Sequence, residues 1–222
     1  MKLHWSPRSP FVRKVMIVLH EKALVDAVEL VRSVVMLTAP PNEEVLADNP
    51  LGKIPTLVLD DGTGLFDSRV ISEYLDGVGS GAPLLPADPA ARLACLRWQA
   101  FGDGLTDVLL LWRTEMTRGA AASPEISASY DVKVRASLKR LEAEAEALDA
   151  SDFSLGHASI VCALGQLEFR YPECGWRAVH PALAAWFDRM CERPSVAGTA
   201  ISDDGAAVMG EVKMPLDFER AA

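Results

Sequence analysis

The stretch Asn49-Pro50-Leu51-Gly52-Lys53-Ile54-Pro55-Thr56 separates a helical part of the sequence from a β-like part. Pro55 has no backbone N–H to donate to a sheet, so we predict that it begins a strand and does not lie inside one. Ile54, which precedes the proline, is restricted to an extended conformation, and its own N–H and C=O can stay free. Such a backbone can pair with an extended, peptide-like ligand. An ordinary loop-to-strand turn would account for the stretch equally well when it is considered alone.

Short β-like runs alternate with helical periodicity on both sides of this stretch. The order β-α-β-α-β-β-α predicts a mixed sheet with helices on its faces. The predicted strands are residues 1–5, 27–32, 56–59 and 64–66, and the predicted helices are residues 11–22, 43–47 and 68–76.

Residues 79–89 are rich in glycine and proline, and we interpret them as an interdomain linker. Almost everything beyond the linker has helical periodicity. The predicted helices are residues 90–117, 125–148, 155–169 and 181–192. The sequence therefore predicts an α/β domain at residues 1–78, followed by an all-α domain at residues 90–222.

The composition excludes several classes of protein. Of the 222 residues, 50% are hydrophobic and 24% are charged, which is enough apolar material for a buried core. The net charge of −9 argues against nucleic acid or an anionic membrane surface as a partner, and no run of about 18 apolar residues could cross a membrane. The four cysteines and four histidines lack metal-site spacing, so we expect no metal, no disulfide, and a reduced, cytoplasmic protein.

Two predicted helix starts carry polar groups that suit a charged ligand. Ser9 precedes Pro10, a residue type favoured in the first helical turn, so we predict Ser9 at the N-cap. A hydroxyl there can simply cap the helix, or it can hold an anion together with the free N–H groups. Asp67 and Ser68 open another helix, where the hydroxyl and N–H groups suit a carboxylate and Asp67 suits an ammonium. Together this pair would recognise the zwitterionic end of an amino acid, although each residue alone could be a cap.

Five segments of the chain resemble cytosolic glutathione S-transferases, and the resemblance extends over almost the whole sequence. They are SPFVRK at residues 9–14, NPLGKIPTLVL at 49–59, FDSRVISEYL at 66–75, FSLGHASIVCALGQLEFRYP at 153–172 and HPALAAWFDRMCERPSV at 180–196. The first three are similar to the family's thioredoxin-like domain, and the last two to its helical domain. The nearest likeness is to a bacterial, serine-type subgroup with the SPFVRK opening.

The resemblance implies that the chain stabilises the thiolate of glutathione with a hydroxyl. Ser9 corresponds to the residue that faces the glutathione sulfur and would be the catalytic residue, and Ser6 is a second candidate three residues earlier. Because members with redox chemistry have cysteine where this chain has Ser9, dithiol chemistry of the glutaredoxin kind is not expected.

The resemblance also implies a set of glutathione-binding residues. The backbone of Ile54 would pair with the cysteinyl part of glutathione, and Pro55 would be the family's cis-proline. Asp67 and Ser68 would hold the γ-glutamyl group, and Lys53 would meet the glycyl carboxylate unless its side chain is solvated.

By the same resemblance, the chain would be a homodimeric enzyme that conjugates glutathione to a small hydrophobic electrophile. We expect Trp5 and Trp112 to form the wall of the electrophile pocket. Two alternatives stay open: glutathione-dependent reduction, as in a reductase or peroxidase, and a non-catalytic module of the same fold that binds a protein partner.

Other polar residues are interpreted as structural. Asp103 and Asp107 receive no catalytic role and could pair with arginines or with a dimer partner. The acidic run at residues 142–146 is predicted to be a solvated helix face. Ser154 is predicted to cap the helix that follows it, and His157 to be neutral and to accept a hydrogen bond.

Overall fold

A four-stranded mixed sheet forms the first part of the chain. The structure is a computed structural model, and it describes residues 1–36, 39–205 and 212–219. The strands are β1 (Lys2–Trp5), β2 (Glu29–Arg32), β3 (Thr56–Val58) and β4 (Gly64–Leu65), in the order β2-β1-β3-β4. β1 is parallel to β2 and antiparallel to β3, and β3 is antiparallel to β4, which confirms the predicted mixed sheet. β3 begins directly after Pro55, as predicted.

The α-helices of the described residues agree with the predicted ones to within two residues at each end. They are α1 (Pro10–Glu21), α2 (Glu43–Asp48), α3 (Ser68–Val78), α4 (Pro89–Met116), α5 (Pro124–Asp149), α6 (Leu155–Arg170), α7 (Trp176–Val179), α8 (Pro181–Cys191) and α9 (Pro194–Ala197). The four-residue helices α7 and α9 have no counterpart in the prediction. We refer to β1–β4 with α1–α3 as the sheet domain and to α4–α9 as the helical domain. The division at residues 79–89 stays a prediction.

Local side-chain chemistry sets where the first five helices begin. Ser9, Asn42, Asp67, Asp88 and Ser123 are the N-caps of α1 to α5, and a side-chain oxygen of each accepts a backbone N–H two or three residues later. These bonds satisfy N–H groups that have no partner inside the helix. The boundaries of the helices that carry the site are therefore fixed by the sequence itself.

Helix α6 is the centre of the helical domain, and 12 of its 16 residues are buried. It approaches α4 at a distance that only glycine permits. A Cβ atom on Gly102 would lie 2.4 Å from the carbonyl carbon of Ser159, and one on Gly156 would lie 2.7 Å from the carbonyl oxygen of Cys95. Because real Cβ atoms do not come this close to backbone atoms, the two glycines set the separation of α4 and α6.

The prediction that the acidic run at residues 142–146 is solvated was wrong for Glu144, which is buried between α4 and α5. Its Oε2 accepts hydrogen bonds from Arg97 Nη2 at 2.6 Å and from Trp98 Nε1 at 2.7 Å, and its Oε1 also pairs with Arg140. Burial alone would raise the pKa of Glu144, but the hydrogen bonds from Arg97, Trp98 and Arg140 outweigh it and lower the pKa to about 2.

Ser154 and His157 stabilise the start of α6 in a different way from an N-cap hydrogen bond. His157 Nε2 lies 3.0 Å from the carbonyl oxygen of Leu148, and its Nδ1 lies 2.8 Å from Ser154 Oγ. A carbonyl only accepts, so Nε2 carries the hydrogen in a neutral ring, and Nδ1 accepts from the serine hydroxyl. Burial lowers the pKa of His157, in agreement with the predicted neutral ring.

We predict that Gly102→Ala destabilises the protein by about 2 kcal/mol or more, because the added methyl group meets backbone atoms that cannot move aside. Gly104→Ala is the matched control on the same helix. Nothing lies within 4 Å of a Cβ at that position, so the higher helix propensity of alanine should stabilise the protein by up to about 1 kcal/mol. Urea unfolding of the two variants tests this. Equal effects of both substitutions would show that the glycines do not set the helix separation.

We predict that Glu144 contributes to stability mainly above pH 4.5. Its pKa is about 2 in the folded protein and near 4.5 in the unfolded chain, so its contribution is lost as the pH falls from about 4.5 towards 2. At pH 7, Glu144→Gln should lower the free energy of unfolding by about 1–3 kcal/mol, and its difference from wild type should shrink below pH 4.5.

Glu146→Gln, at an exposed position on the same helix, is the control and should follow wild type throughout. Denaturant unfolding at a series of pH values provides the measurement. A constant difference between wild type and Glu144→Gln across that range would contradict the assignment.

Candidate functional site

Two adjoining cavities lie between the sheet domain and helix α4. The first has a volume of about 350 Å³ and the second about 520 Å³, and Phe11, Lys53, Ile54 and Asp107 line both. The residues predicted to bind glutathione all line the first cavity: Lys53, Ile54, Pro55, Asp67 and Ser68. Ser6 and Ser9 both line the second. The structure therefore brings together, in one cleft, residues that are up to 62 positions apart in the sequence, from Ser6 to Ser68.

The loop before β3 presents the backbone of Ile54 to the first cavity. Buried Asn49 holds this loop, because its Nδ2 donates to the carbonyl of Lys53 at 3.2 Å and to Thr56 Oγ1 at 2.9 Å. The Ile54–Pro55 peptide bond is cis, as the family resemblance implied. Among the described residues, neither the N–H nor the C=O of Ile54 has a hydrogen-bond partner. An extended ligand could take both bonds.

The start of α3 presents a carboxylate and a hydroxyl to the same cavity. Asp67 is exposed, and its Oδ1 accepts the N–H of Arg69 at 2.8 Å as the N-cap of the helix. Its other oxygen can meet a ligand ammonium. Ser68 is buried in the first turn, where the N–H groups of the helix and its positive end favour a negative group.

Ser9 lies at the positive end of α1 with a hydrogen to donate. The N–H of Val12 donates to Ser9 Oγ at 3.2 Å, which uses one lone pair of the hydroxyl and leaves its hydrogen available. Ser6 is more deeply buried, and its Oγ accepts the N–H of Arg8 at a longer 3.4 Å. Both hydroxyls reach the second cavity, and Ser9 is the one that caps the helix.

A buried ion pair lies beside the first cavity; it includes an arginine partner, which is one of the options predicted for Asp103, and a lysine partner that the sequence did not predict. Asp103 on α4 pairs with Lys14 Nζ at 2.7 Å and with Arg69 Nε at 2.8 Å. Burial lowers the pKa of Lys14 from its ordinary value, and the neighbouring carboxylate opposes this. The lysine belongs to the SPFVRK motif, so the motif has a structural function besides its serine.

Asp107 stands one turn further along α4, where the two cavities meet. Burial raises the pKa of Asp107, as does the negative charge of Asp103, while Lys53 and Arg69 act in the opposite direction. No catalytic role is expected for Asp107 from the sequence, and only the tertiary structure brings it into the cleft.

The expectation that Trp5 and Trp112 form the pocket wall was wrong, since neither lines the cavities. Trp112 is fully buried in the helical core, where it packs beside Tyr171 and donates from Nε1 to Ser127 at 2.9 Å. Trp5 packs against the core of the sheet domain. On α4, the neighbours Leu110 and Leu111 line the second cavity instead, because Trp112 points to the opposite side of the helix.

The second cavity is lined by four arginines, from widely separated parts of the chain: Arg8, Arg32, Arg113 and Arg170. Arg113 and Arg170 lie in the last turns of α4 and α6, where a cation is common because it complements the helix dipole. Their position at helix ends therefore gives no sign in the sequence that both arginines line the same cavity. They meet there because of the way α4 and α6 pack.

Among the described residues, no group of three or more histidine, cysteine, aspartate or glutamate side chains could hold a metal ion. All four cysteines are free. Burial raises the pKa of the Cys162 thiol to about 11, so this cysteine is not poised for nucleophilic chemistry. In the same part of the chain, no helix is long and apolar enough to cross a membrane.

Comparison with known proteins gives matches in both domains. Residues 8–78 match the family described as "Glutathione S-transferase, N-terminal domain", and residues 124–189 match "Glutathione S-transferase, C-terminal domain". An uncharacterized GST-like protein of Escherichia coli K12, YibF, is 34% identical over 202 residues, which cover 90% of this chain and 98% of YibF.

Two crystal structures of glutathione transferase family members from Pseudomonas fluorescens Pf-5 are also similar. One, with bound glutathione, is 43% identical with a TM-score of 0.84, and the match covers 91% of this chain and 99% of that one. The other, with bound S-(propanoic acid)-glutathione, is 42% identical with a TM-score of 0.79, and the match covers 91% and 100%. The matches in both domains, and relatives this similar over nearly their whole length, show that the chain belongs to the glutathione S-transferase family.

Proposed function

We propose that the protein is a glutathione transferase that binds reduced glutathione along the first cavity. The observation that carries the proposal is the convergence of the free backbone of Ile54 with Asp67 and Ser68 in one cleft. Glutathione is an extended tripeptide, so its cysteinyl part pairs with Ile54 while its γ-glutamyl end meets the carboxylate and hydroxyl at α3. Lys53 supplies a cation for the glycyl carboxylate. The neighbouring structure with bound glutathione supports glutathione as the ligand.

Ser9 then stabilises the thiolate, acting as a hydrogen-bond donor and not as a base. A free thiol has a pKa near 8.5, so little of it is ionised at neutral pH. The positive end of a helix favours an anion by about 0.3–2 kcal/mol, and a hydrogen bond to a charged acceptor adds roughly 1.5–3 kcal/mol. At about 1.4 kcal/mol per pH unit, these contributions lower the thiol pKa by one to three units. That is enough to make much of the bound glutathione thiolate.

The thiolate reacts with a small electrophile held in the second cavity. In a substitution, the sulfur forms a bond to carbon, the bond from that carbon to its leaving group breaks with both electrons, and the thiol proton has already passed to solvent. Val34, Val35, Met36, Leu110 and Leu111 give this cavity an apolar wall for the carbon skeleton. The neighbour that contains S-(propanoic acid)-glutathione supports a site with room for a substituent on sulfur.

The intact polar groups of the cleft favour catalysis over the non-catalytic module. A protein-binding module has no need to keep a thiolate donor, a free Ile54 backbone and an acidic-serine pair in one cavity. Glutathione-dependent reduction would use the same thiolate and differ only in its acceptor. Homodimerisation and a cytoplasmic location stay predictions.

We predict that Asp67→Asn weakens glutathione binding about tenfold or more, because it removes a charge that meets the ligand ammonium. Asparagine is also a good N-cap, so α3 should stay capped. Asp88→Asn is the matched control, since Asp88 caps α4 away from both cavities. Calorimetric titration with reduced glutathione provides the measurement. If Asp67→Asn binds as wild type does, the γ-glutamyl group does not lie at α3.

We predict that Ser9→Ala raises the pKa of enzyme-bound glutathione by about one to two units while glutathione still binds, because a hydrogen bond to the thiolate is lost. The pH profile of kcat/KM should move upward by the same amount. Ultraviolet absorbance of the thiolate, followed against pH at saturating glutathione, measures the shift. Ser6→Ala is the comparison, and it should leave this pKa near the wild-type value. The reverse pattern would identify Ser6 as the thiolate donor.

A further inference from the structure

The second cavity has an apolar wall and a cationic wall. The apolar wall consists of Val34, Val35 and Met36, which follow β2, and of Leu110 and Leu111 on α4. The cationic wall consists of Arg8 and Arg32 from the sheet domain with Arg113 and Arg170 from the ends of α4 and α6. A cavity of this kind suits a ligand with a short carbon skeleton and a negative group, because an uncharged apolar ligand would leave the guanidinium groups partly desolvated.

Carboxylates of the protein neutralise part of this wall. Asp204 pairs with Arg32 Nε at 2.5 Å and with Arg8 Nε at 3.1 Å, and Asp203 also pairs with Arg8. The acidic residue on the cavity wall is Asp107, which lies at the junction with the first cavity, as does Lys53. The charges of Arg8 and Arg32 are therefore partly compensated by carboxylates of the protein itself.

Arg170 is the arginine best placed to meet an anion. It is half-buried, its guanidinium stacks 3.9 Å from the ring centre of Phe169, and no carboxylate of the described residues lies within ion-pair distance of it. Burial, together with the positive charges of Arg113 and Arg8, lowers its pKa to about 10, while the negative charge of Asp203 acts in the opposite direction. A ligand carboxylate would relieve this repulsion.

Gln166, one turn before Arg170 on α6, adds an uncharged polar group to the same wall. It is 2% exposed, and its Oε1 has no hydrogen-bond partner among the described residues. The amide also carries an NH₂ group, which is a hydrogen-bond donor, so Gln166 can donate to a ligand in this cavity. Gln166 therefore offers a neutral hydrogen-bond donor on the same wall as Arg170.

We propose that the second cavity selects electrophiles that carry a carboxylate, with Arg170 as the main contact and Gln166 as a second donor. This inference rests on the proposed function, because the electrophile becomes attached to the sulfur of glutathione. A guanidinium can donate two parallel hydrogen bonds to one carboxylate. The apolar wall then holds the carbon chain between the carboxylate and the reacting carbon.

A structural role for Arg170 is the competing explanation. A cation in the last turn of a helix stabilises that helix by its interaction with the dipole, whether or not a ligand is present. Arg189 is a matched control, since it lies in the last turn of α8, is exposed and does not line either cavity. Removal of either arginine changes the net charge equally, so a ligand-specific effect separates the two explanations.

The experiment compares two conjugates that differ only at the end of the sulfur substituent. S-(2-carboxyethyl)glutathione ends in a carboxylate, and S-propylglutathione has a methyl group in its place. Calorimetry should show that wild type binds the carboxyethyl conjugate about tenfold more tightly. Arg170→Gln should reduce this preference to about twofold or less, and Arg189→Gln should leave it at the wild-type value. Thermal unfolding of both variants reports any purely structural effect.

Each outcome decides the inference. Equal affinity of wild type for the two conjugates would overturn it even if a variant failed to fold, and so would equal preferences in Arg170→Gln and Arg189→Gln. In either case, continued binding of glutathione would leave the proposed function standing. If wild type binds neither glutathione nor its conjugates, the proposed function fails and the inference fails with it.

Discussion

The buried carboxylate of Asp103 connects helices α1, α3 and α4 around the cleft. It lies on α4, and its oxygens lie 2.7 and 2.8 Å from Lys14 Nζ on α1 and 2.8 Å from Arg69 Nε on α3. Helix α1 presents Ser9, and helix α3 presents Asp67. One buried charge therefore fixes both ends of the proposed glutathione site relative to the second cavity. Removal of one partner of a buried ion pair costs about 3–5 kcal/mol, so this arrangement is strongly constrained.

The parts of the fold that depend on neighbouring residues could be predicted from the sequence. N-caps such as Ser9 and Asp67 act within three residues, so their positions mark the helix boundaries reliably. Pro55 marks the start of β3 because it lacks an N–H. The candidate glutathione residues could be chosen for the same reason, since each lies at the end of a helix or strand and within a motif that resembles the family.

The parts that depend on packing could not be predicted in this way. Glu144 belongs to an acidic run that has the pattern of a solvated face, yet α4 supplies two hydrogen-bond donors that make its burial favourable. The sequence spacing of Trp112 is compatible with a position in the core or in a pocket wall. In the structure, where α4 contacts α6 closely, Trp112 is buried in the core. The arginines of the second cavity come from four separate segments, and only the tertiary structure brings them together.

The central claim is that glutathione lies along the first cavity with its sulfur at the start of α1. A crystal structure of the protein with reduced glutathione tests this most directly. The account predicts the sulfur within hydrogen-bond distance of Ser9 Oγ, the cysteinyl backbone paired with Ile54, and the γ-glutamyl group at Asp67 and Ser68. A sulfur placed away from Ser9, or a γ-glutamyl group bound elsewhere, would contradict it.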